Sequence, residues 1–125
     1  MYVLRNLVDG VRPGGVVLDL QVIRPDATVE HDGRVVCAVE GEALLSRADA
    51  ARAAIDALVQ SGELVDAAID DHDVFKHYAS GADLVADFAQ SIRRLPVAVV
   101  PALSALSSPV AIREHCRLRQ LRVST

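Results

Sequence analysis

Hydrophobic and polar residues recur along this chain with two periods, one typical of helices and the other of strands. Apolar residues follow a helical spacing from residue 2 to residue 9, and Gly10 is a characteristic stop signal. Pro13-Gly14-Gly15 predicts a turn, because proline fixes φ and glycine accepts positive φ. Residues 16 to 23 then alternate with a period of two, which predicts the first strand.

This first strand has one wholly apolar face and one mixed face. The apolar face consists of Val16, Leu18, Leu20 and Val22. We expect this face to enter a core and the strand to lie near the centre of a sheet. On the mixed face, Asp19 and Gln21 need polar partners. Asp19 is therefore a candidate ligand contact, and the alternative is a hydrogen bond to a neighbouring loop or subunit.

Further strands are predicted downstream. Asp32-Gly33 between two β-rich runs is a strong hairpin signal, which pairs Glu30 with Val35 and Val29 with Val36. The stretch HDVFKHY is typical of a short strand. In the last segment, residues 109 to 123, apolar and polar residues alternate with a period of two, which predicts a further strand. One of its faces carries Val110, Ile112, Cys116 and Leu118, and the other carries Arg113, His115, Arg117 and Arg119.

Two capped helices lie between these strands. Capping-box spacing at Ser46 and Asp49 predicts a helix that Gly62 ends. The same spacing at Ser80 and Asp83 predicts a second helix, which runs past Ile92 and closes at Pro96. Residues 97 to 107 predict a loose helix. Together these elements predict one domain over residues 1 to 125, of α/β or α+β class, with a mixed sheet of about four to five strands and three to four helices.

Composition narrows the classes of function. The formal net charge is −4, and aromatic residues make up only 3% of the chain, which argues against bulk nucleic-acid binding. No apolar run approaches the roughly 20 residues that span a bilayer, and the signal-peptide pattern is missing. Cys37 and Cys116 form neither a CxxC motif nor a zinc spacing. We therefore predict a cytoplasmic protein with reduced cysteines that binds no metal, no nucleic acid and no membrane.

The stretch LRNLVDGVRPGGVVLDL resembles one place in class I S-adenosylmethionine-dependent methyltransferases. In that family a helix carrying Leu-Arg leads into an Arg-Pro-Gly-Gly turn, and the fifth strand of the sheet follows. The matching residues are Leu4, Arg5, Leu7, Arg12, Pro13, Gly14, Gly15 and Val16 to Leu20. The downstream order, helices and then a late strand pair, is also similar. The chain thus resembles the C-terminal half of a Rossmann-like methyltransferase.

The family binds its cofactor with a glycine-rich loop after the first strand and an acidic residue after the second, and this chain carries no GxGxG. The resemblance therefore implies a fragment or a stand-alone remnant that is not active alone. It implies no cofactor in the isolated chain, and S-adenosylmethionine only with a complementary half. Without its usual neighbour the first strand becomes an edge that invites pairing. We expect a homodimer, or a protein partner that carries the cofactor-binding half.

The densest polar group is DDHDVFKHY, residues 70 to 78. It combines carboxylates, imidazoles, an amine and a phenol, which suit acid–base chemistry. On a strand, Asp73, Phe75 and His77 share one face, and His72, Val74, Lys76 and Tyr78 share the other. The alternative function is a small-ligand-binding or enzymatic homodimer. Its candidate contacts are His72, Asp73, Lys76, His77 and Tyr78, with Asp19 on the first strand. A solvated strand entry is the simpler interpretation, and metal binding is a further one.

The arginine face of the last strand is the remaining candidate. Guanidinium groups suit phosphate or carboxylate ligands. The alternative is an exposed sheet face, or an edge protected by charge. The acidic balance of the chain favours this alternative.

Overall fold

The computed structural model describes residues 2 to 125, with side chains from residue 6 onward. This part of the chain folds into a five-stranded sheet with four α-helices, which confirms the predicted class and the numbers of strands and helices. The elements are α1 (Tyr2–Gly10), β1 (Val16–Val22), β2 (Thr28–His31), β3 (Arg34–Ala38), α2 (Glu42–Gln60), β4 (Leu64–Tyr78), α3 (Gly81–Phe88), α4 (Val100–Ser104) and β5 (Val110–Val123). A single 3-10 turn, Val97–Val99, leads into α4. None of the described helices is long and apolar enough to cross a membrane.

Strand β5 lies at the centre of the sheet. It pairs with β4 over its whole length on one side, and with β1 and then β2 on the other side. Strand β3 extends the sheet beyond β2, and all these pairings are antiparallel. Within the described residues no strand pairs with the other side of β1. Strand β1 therefore lies at an edge, as the resemblance implied, and the expectation that it lies near the sheet centre is wrong.

Two hydrophobic cores cover opposite faces of the sheet at opposite ends of β5. The first packs α1 and α2 on the face that carries Leu121; its buried residues are Val8, Val17, Ile55, Leu64 and Leu121. The second packs α3 and α4 on the face that carries Ile112; its buried residues are Val29, Val39, Leu84, Phe88, Leu95, Leu103, Val110 and Ile112. Each face is therefore covered by helices over only part of its area.

The expected orientation of β1 is also reversed. Val17 pairs with Leu121 and is buried beneath α1 and α2, whereas Leu18 and Leu20 point to the opposite face and are 65% and 59% exposed. The reason is the register with β5, because residues directly opposite in an antiparallel pair share a face. The face with fewer apolar residues thus enters the core.

Turn geometry confirms the two local turn predictions. Gly14 has a φ of +80°, which the Pro-Gly-Gly turn requires. Asp32 and Gly33 both have positive φ, 51° and 74°, as expected for a type I′ hairpin. Glu30 pairs with Val35 as predicted, but a register shift at the next position pairs Val29 with Cys37 instead of Val36.

Three element boundaries differ from the prediction. Helix α2 begins at Glu42, and Ser46 lies inside its first turns, where its hydroxyl donates a hydrogen bond to Glu42. The Ser80 cap of α3 is confirmed, since its Oγ accepts from the Asp83 N–H at 3.1 Å. The helix nevertheless ends at Phe88, before Ile92, because the chain turns to bring Arg94 beside Glu40. The short strand HDVFKHY is the second half of the 15-residue β4.

The core assignment predicts unequal effects of the same truncation on the two faces. Leu121→Ala should lower the free energy of unfolding by about 2–5 kcal/mol, because it opens a cavity in a closed core. Leu18→Ala should change it by no more than about 0.5 kcal/mol at high dilution, since Leu18 is exposed. Urea titration of both variants measures the difference, and equal losses would contradict this assignment of faces.

Candidate functional site

The arginine face of β5 forms a ladder of ion pairs with carboxylates from β4 and its neighbours. Arg119 is buried, with 6% of its surface exposed. Its guanidinium donates to both oxygens of Asp66, at 2.6 and 2.9 Å, and to Asp56 of α2 at 2.7 Å. These bonds hold a helix and two strands together. The expectation of an exposed face is therefore wrong for Arg119.

The ladder continues toward the start of β5. Arg117 donates to both oxygens of Asp71 at 2.7 and 3.0 Å. Arg113 donates to Glu30 of β2 at 2.7 Å and to Asp73 at 3.0 Å. All three guanidiniums of the predicted arginine face thus have carboxylate partners within the chain, which balance their charge.

The ladder also changes how its carboxylates titrate. The hydrogen bonds from Arg119 and Arg117 lower the pKa of Asp66 and of Asp71, respectively, below the usual 3.8. The pKa of Asp73 is lowered in the same way, first by the hydrogen bond with His115 Nδ1 at 2.7 Å and then by Arg113. These carboxylates therefore stay ionised at neutral pH.

The structure places the candidate ligand contacts on two surfaces. The predicted alternation along HDVFKHY is confirmed: Asp73 and His77 share the face of Arg113, while His72, Lys76 and Tyr78 share the face of Ile112. Because the two groups point to opposite faces of the sheet, they do not line one cleft. Asp19 shares the face of Arg113 but lies on the edge strand β1, opposite Arg119, where it accepts a hydrogen bond from Gln21 Nε2 at 2.8 Å.

On the Ile112 face, Lys76 and Tyr78 have hydrogen-bond partners in the chain. Asp87 of α3 accepts from the Tyr78 hydroxyl at 2.5 Å and from Lys76 Nζ at 3.1 Å. The Nδ1 of His72 lies 3.1 Å from a carboxylate oxygen of Asp70, but this buried nitrogen makes no hydrogen bond to the described residues. Lys76 and Tyr78 thus join β4 to α3, which is a structural role.

One shallow depression brings part of the predicted group together. It lies on the arginine-ladder face near the β2–β3 hairpin, and Glu30, Gly33, Phe75, His77 and Ala111 line it. The rings of Phe75 and His77 stack at a centroid distance of 6.3 Å, and the guanidinium of Arg113 lies 4.6 Å from the centroid of the Phe75 ring. This is where the structure offers His77 a neighbouring aromatic surface.

The described part of the chain exposes a group of apolar side chains on one face of the sheet. Val16, Leu18, Leu20, Val65 and Leu118, which we call the apolar patch, are exposed on the face opposite α1 and α2. The patch spans β1, β5 and β4 beyond the area that α3 and α4 cover. Monomeric soluble proteins rarely leave a contiguous apolar surface of more than a few hundred Å² in water. The alternation of β1 was the sequence signal for it, although its direction was misassigned.

Comparisons with protein-family models, with curated proteins and with solved structures find no match to this chain.

The ladder predicts an acid-sensitive fold. A lowered pKa in the folded state stabilises the protein above the usual pKa of 3.8, and this contribution is lost as the pH falls below it. The urea midpoint should therefore drop between about pH 5 and about pH 3. Asp71→Asn should reduce that drop, because it removes one of the shifted carboxylates.

Asp32→Asn is the matched control for Asp71→Asn. Asp32 lies in the β2–β3 turn beside His31, with 83% of its side chain exposed, and asparagine suits the same turn conformation. An acid profile that Asp71→Asn leaves unchanged, or that both variants change equally, would contradict the role assigned to the ladder.

Proposed function

We propose that this chain is an incomplete methyltransferase-like domain that is not catalytic alone and works by association. It either self-associates or completes a partner that carries a cofactor-binding half. The observation that carries the proposal is the combination, on one strand, of an unpaired sheet edge and exposed Leu18 and Leu20. An edge of this kind, flanked by apolar side chains, favours contact with another chain.

The order of elements supports the methyltransferase-like part of the proposal. Helix α1, the Arg-Pro-Gly-Gly turn and β1 follow one another as in the resemblance, and the long strands β4 and β5 come later, with α3 and α4 between them in the chain. The absence of a GxGxG loop from the sequence supports the incomplete part. The ion pairs of the arginine ladder support a structural role for residues that otherwise suggest catalysis.

The small-ligand alternative has one observation in its favour, the depression that contains Phe75 and His77. It is open and shallow, whereas small-molecule sites are usually concave and bury most of the ligand. We therefore rank it second. A ligand-induced rise in melting temperature that His77→Ala abolishes would favour it over association.

The first test is cofactor binding by the isolated chain. Titration calorimetry with S-adenosylmethionine and with S-adenosylhomocysteine should give no binding heat at micromolar protein, because the loop that approaches such a cofactor is missing from the sequence. Binding at micromolar affinity would overturn the proposal.

The second test is association through β1. Light scattering after gel filtration should give a mass above that of one 13.3 kDa chain for the native protein, and Leu20→Lys should restore the monomer. Leu7→Lys is the matched control, because Leu7 is 49% exposed but lies on α1, away from the apolar patch. A native monomer at all concentrations removes self-association and leaves only the partner form of the proposal.

A further inference from the structure

We infer that the apolar patch binds a second copy of this chain face to face, with Arg122 of each copy paired to Asp70 of the other. This inference rests on the proposed function and names the partner, which that proposal leaves open. It depends on three features of the patch: its position on the face of the sheet, the charges at its ends, and the unused guanidinium of Arg122.

The registers of β1 and β4 on β5 arrange the patch in rows. At one end Arg122 lies between Val16 and Val65. At the other end Leu118 lies between Leu20 and Asp70. Gln120 occupies the middle row, beside Leu18 and Ala68. The side chains of the apolar patch therefore surround the amide of Gln120. The positive charge of Arg122 lies at one end of the patch, and the negative charge of Asp70 lies at the other.

This charge pattern is self-complementary in one orientation. A two-fold axis across the strands at Gln120 places the Arg122 row of one copy over the Asp70 row of the other. The guanidinium and the carboxylate are then offset sideways by one strand spacing, about 4.8 Å, which an arginine side chain can bridge. A two-fold axis along β5 instead places Arg122 over Arg122, and juxtaposed like charges are unfavourable.

Arg122 differs from the other arginines of β5 in a way that suits this role. Arg113, Arg117 and Arg119 each pair with carboxylates of their own chain. Arg122 is exposed and, among the described residues, has no ion-pair partner. Asp70 on the same face keeps most of its side chain in water, 73% exposed, although it lies beside His72.

Face-to-face packing covers the patch, whereas edge pairing does not. Two copies joined edge to edge through β1 would form one continuous sheet, with both patches side by side on the same open surface. Two stacked sheets instead lie about 10 Å apart, and their branched side chains interdigitate. An apolar centre with charged groups at its margin is also the usual arrangement of a protein interface.

Charge exchange tests this arrangement. By sedimentation equilibrium, Arg122→Glu and Asp70→Arg should each weaken the dimer on the order of tenfold or more, because each places like charges opposite one another twice per dimer. The double variant Arg122→Glu/Asp70→Arg should regain most of the native affinity. Arg34→Glu, an exposed position on β3 away from the patch, should leave the affinity unchanged.

The outcomes separate this inference from the proposed function. A native dimer that Leu20→Lys dissociates but that both charge variants leave intact overturns the crossed ion pairs and keeps the proposed function. A dimer insensitive to Leu20→Lys places the interface elsewhere and overturns the inference. A native monomer also overturns it, and the patch then belongs to a different protein. Binding of S-adenosylmethionine by the isolated chain would overturn the proposed function itself.

Discussion

The two-sided pairing of β5 is the constraint on which the rest of the structure depends. A strand of 14 residues bonded to β4 on one side and to β1 and β2 on the other fixes the face of every side chain in the sheet. It places Leu121 under α1 and α2, and Ile112 under α3 and α4. The same register leaves Leu118 in the open, because its face has no helix at that end.

The arginine ladder follows from this register and explains why β4 tolerates so many acidic residues. Aspartate is normally depleted in strands, but here Asp66 and Asp71 each face a guanidinium on β5. Exposed ion pairs contribute little stability individually. Arg119 is different, because it is buried, and removing its carboxylates would leave an uncompensated charge. The ladder therefore specifies how β4 and α2 dock on β5, and it pairs Arg113, Arg117 and Arg119 with carboxylates of the same chain.

Local signals predicted the parts of the fold that depend on few neighbours. Helix α1, the Asp32-Gly33 hairpin, the Ser80 cap and the alternation of β5 follow from turn and capping chemistry and from simple periodicity. The orientation of β1 did not follow, because both of its faces carry valine or leucine, and only its register opposite Leu121 decides which one is buried. The length of β4 was missed for a related reason, since its aspartates are stabilised by arginines some 40 residues or more away in sequence. For the candidate site, the sequence correctly assigned residues 72 to 78 to alternate faces but gave no measure of how many partners each already had.

The unpaired edge of β1 and the apolar patch beside it face in different directions, and this bears on how the two forms of association relate. Backbone groups of an edge strand point along the plane of the sheet, whereas the side chains of Leu18 and Leu20 stand roughly perpendicular to it. A partner strand that extended the sheet at β1 would leave the patch in water, and a second copy stacked on the patch would leave the backbone edge unpaired. Stacking on the patch and extension at the edge therefore use separate surfaces of the same strand. For this reason the charge variants at Arg122 and Asp70 report on stacking alone, while Leu20→Lys reports on any partner that touches β1 from the open face.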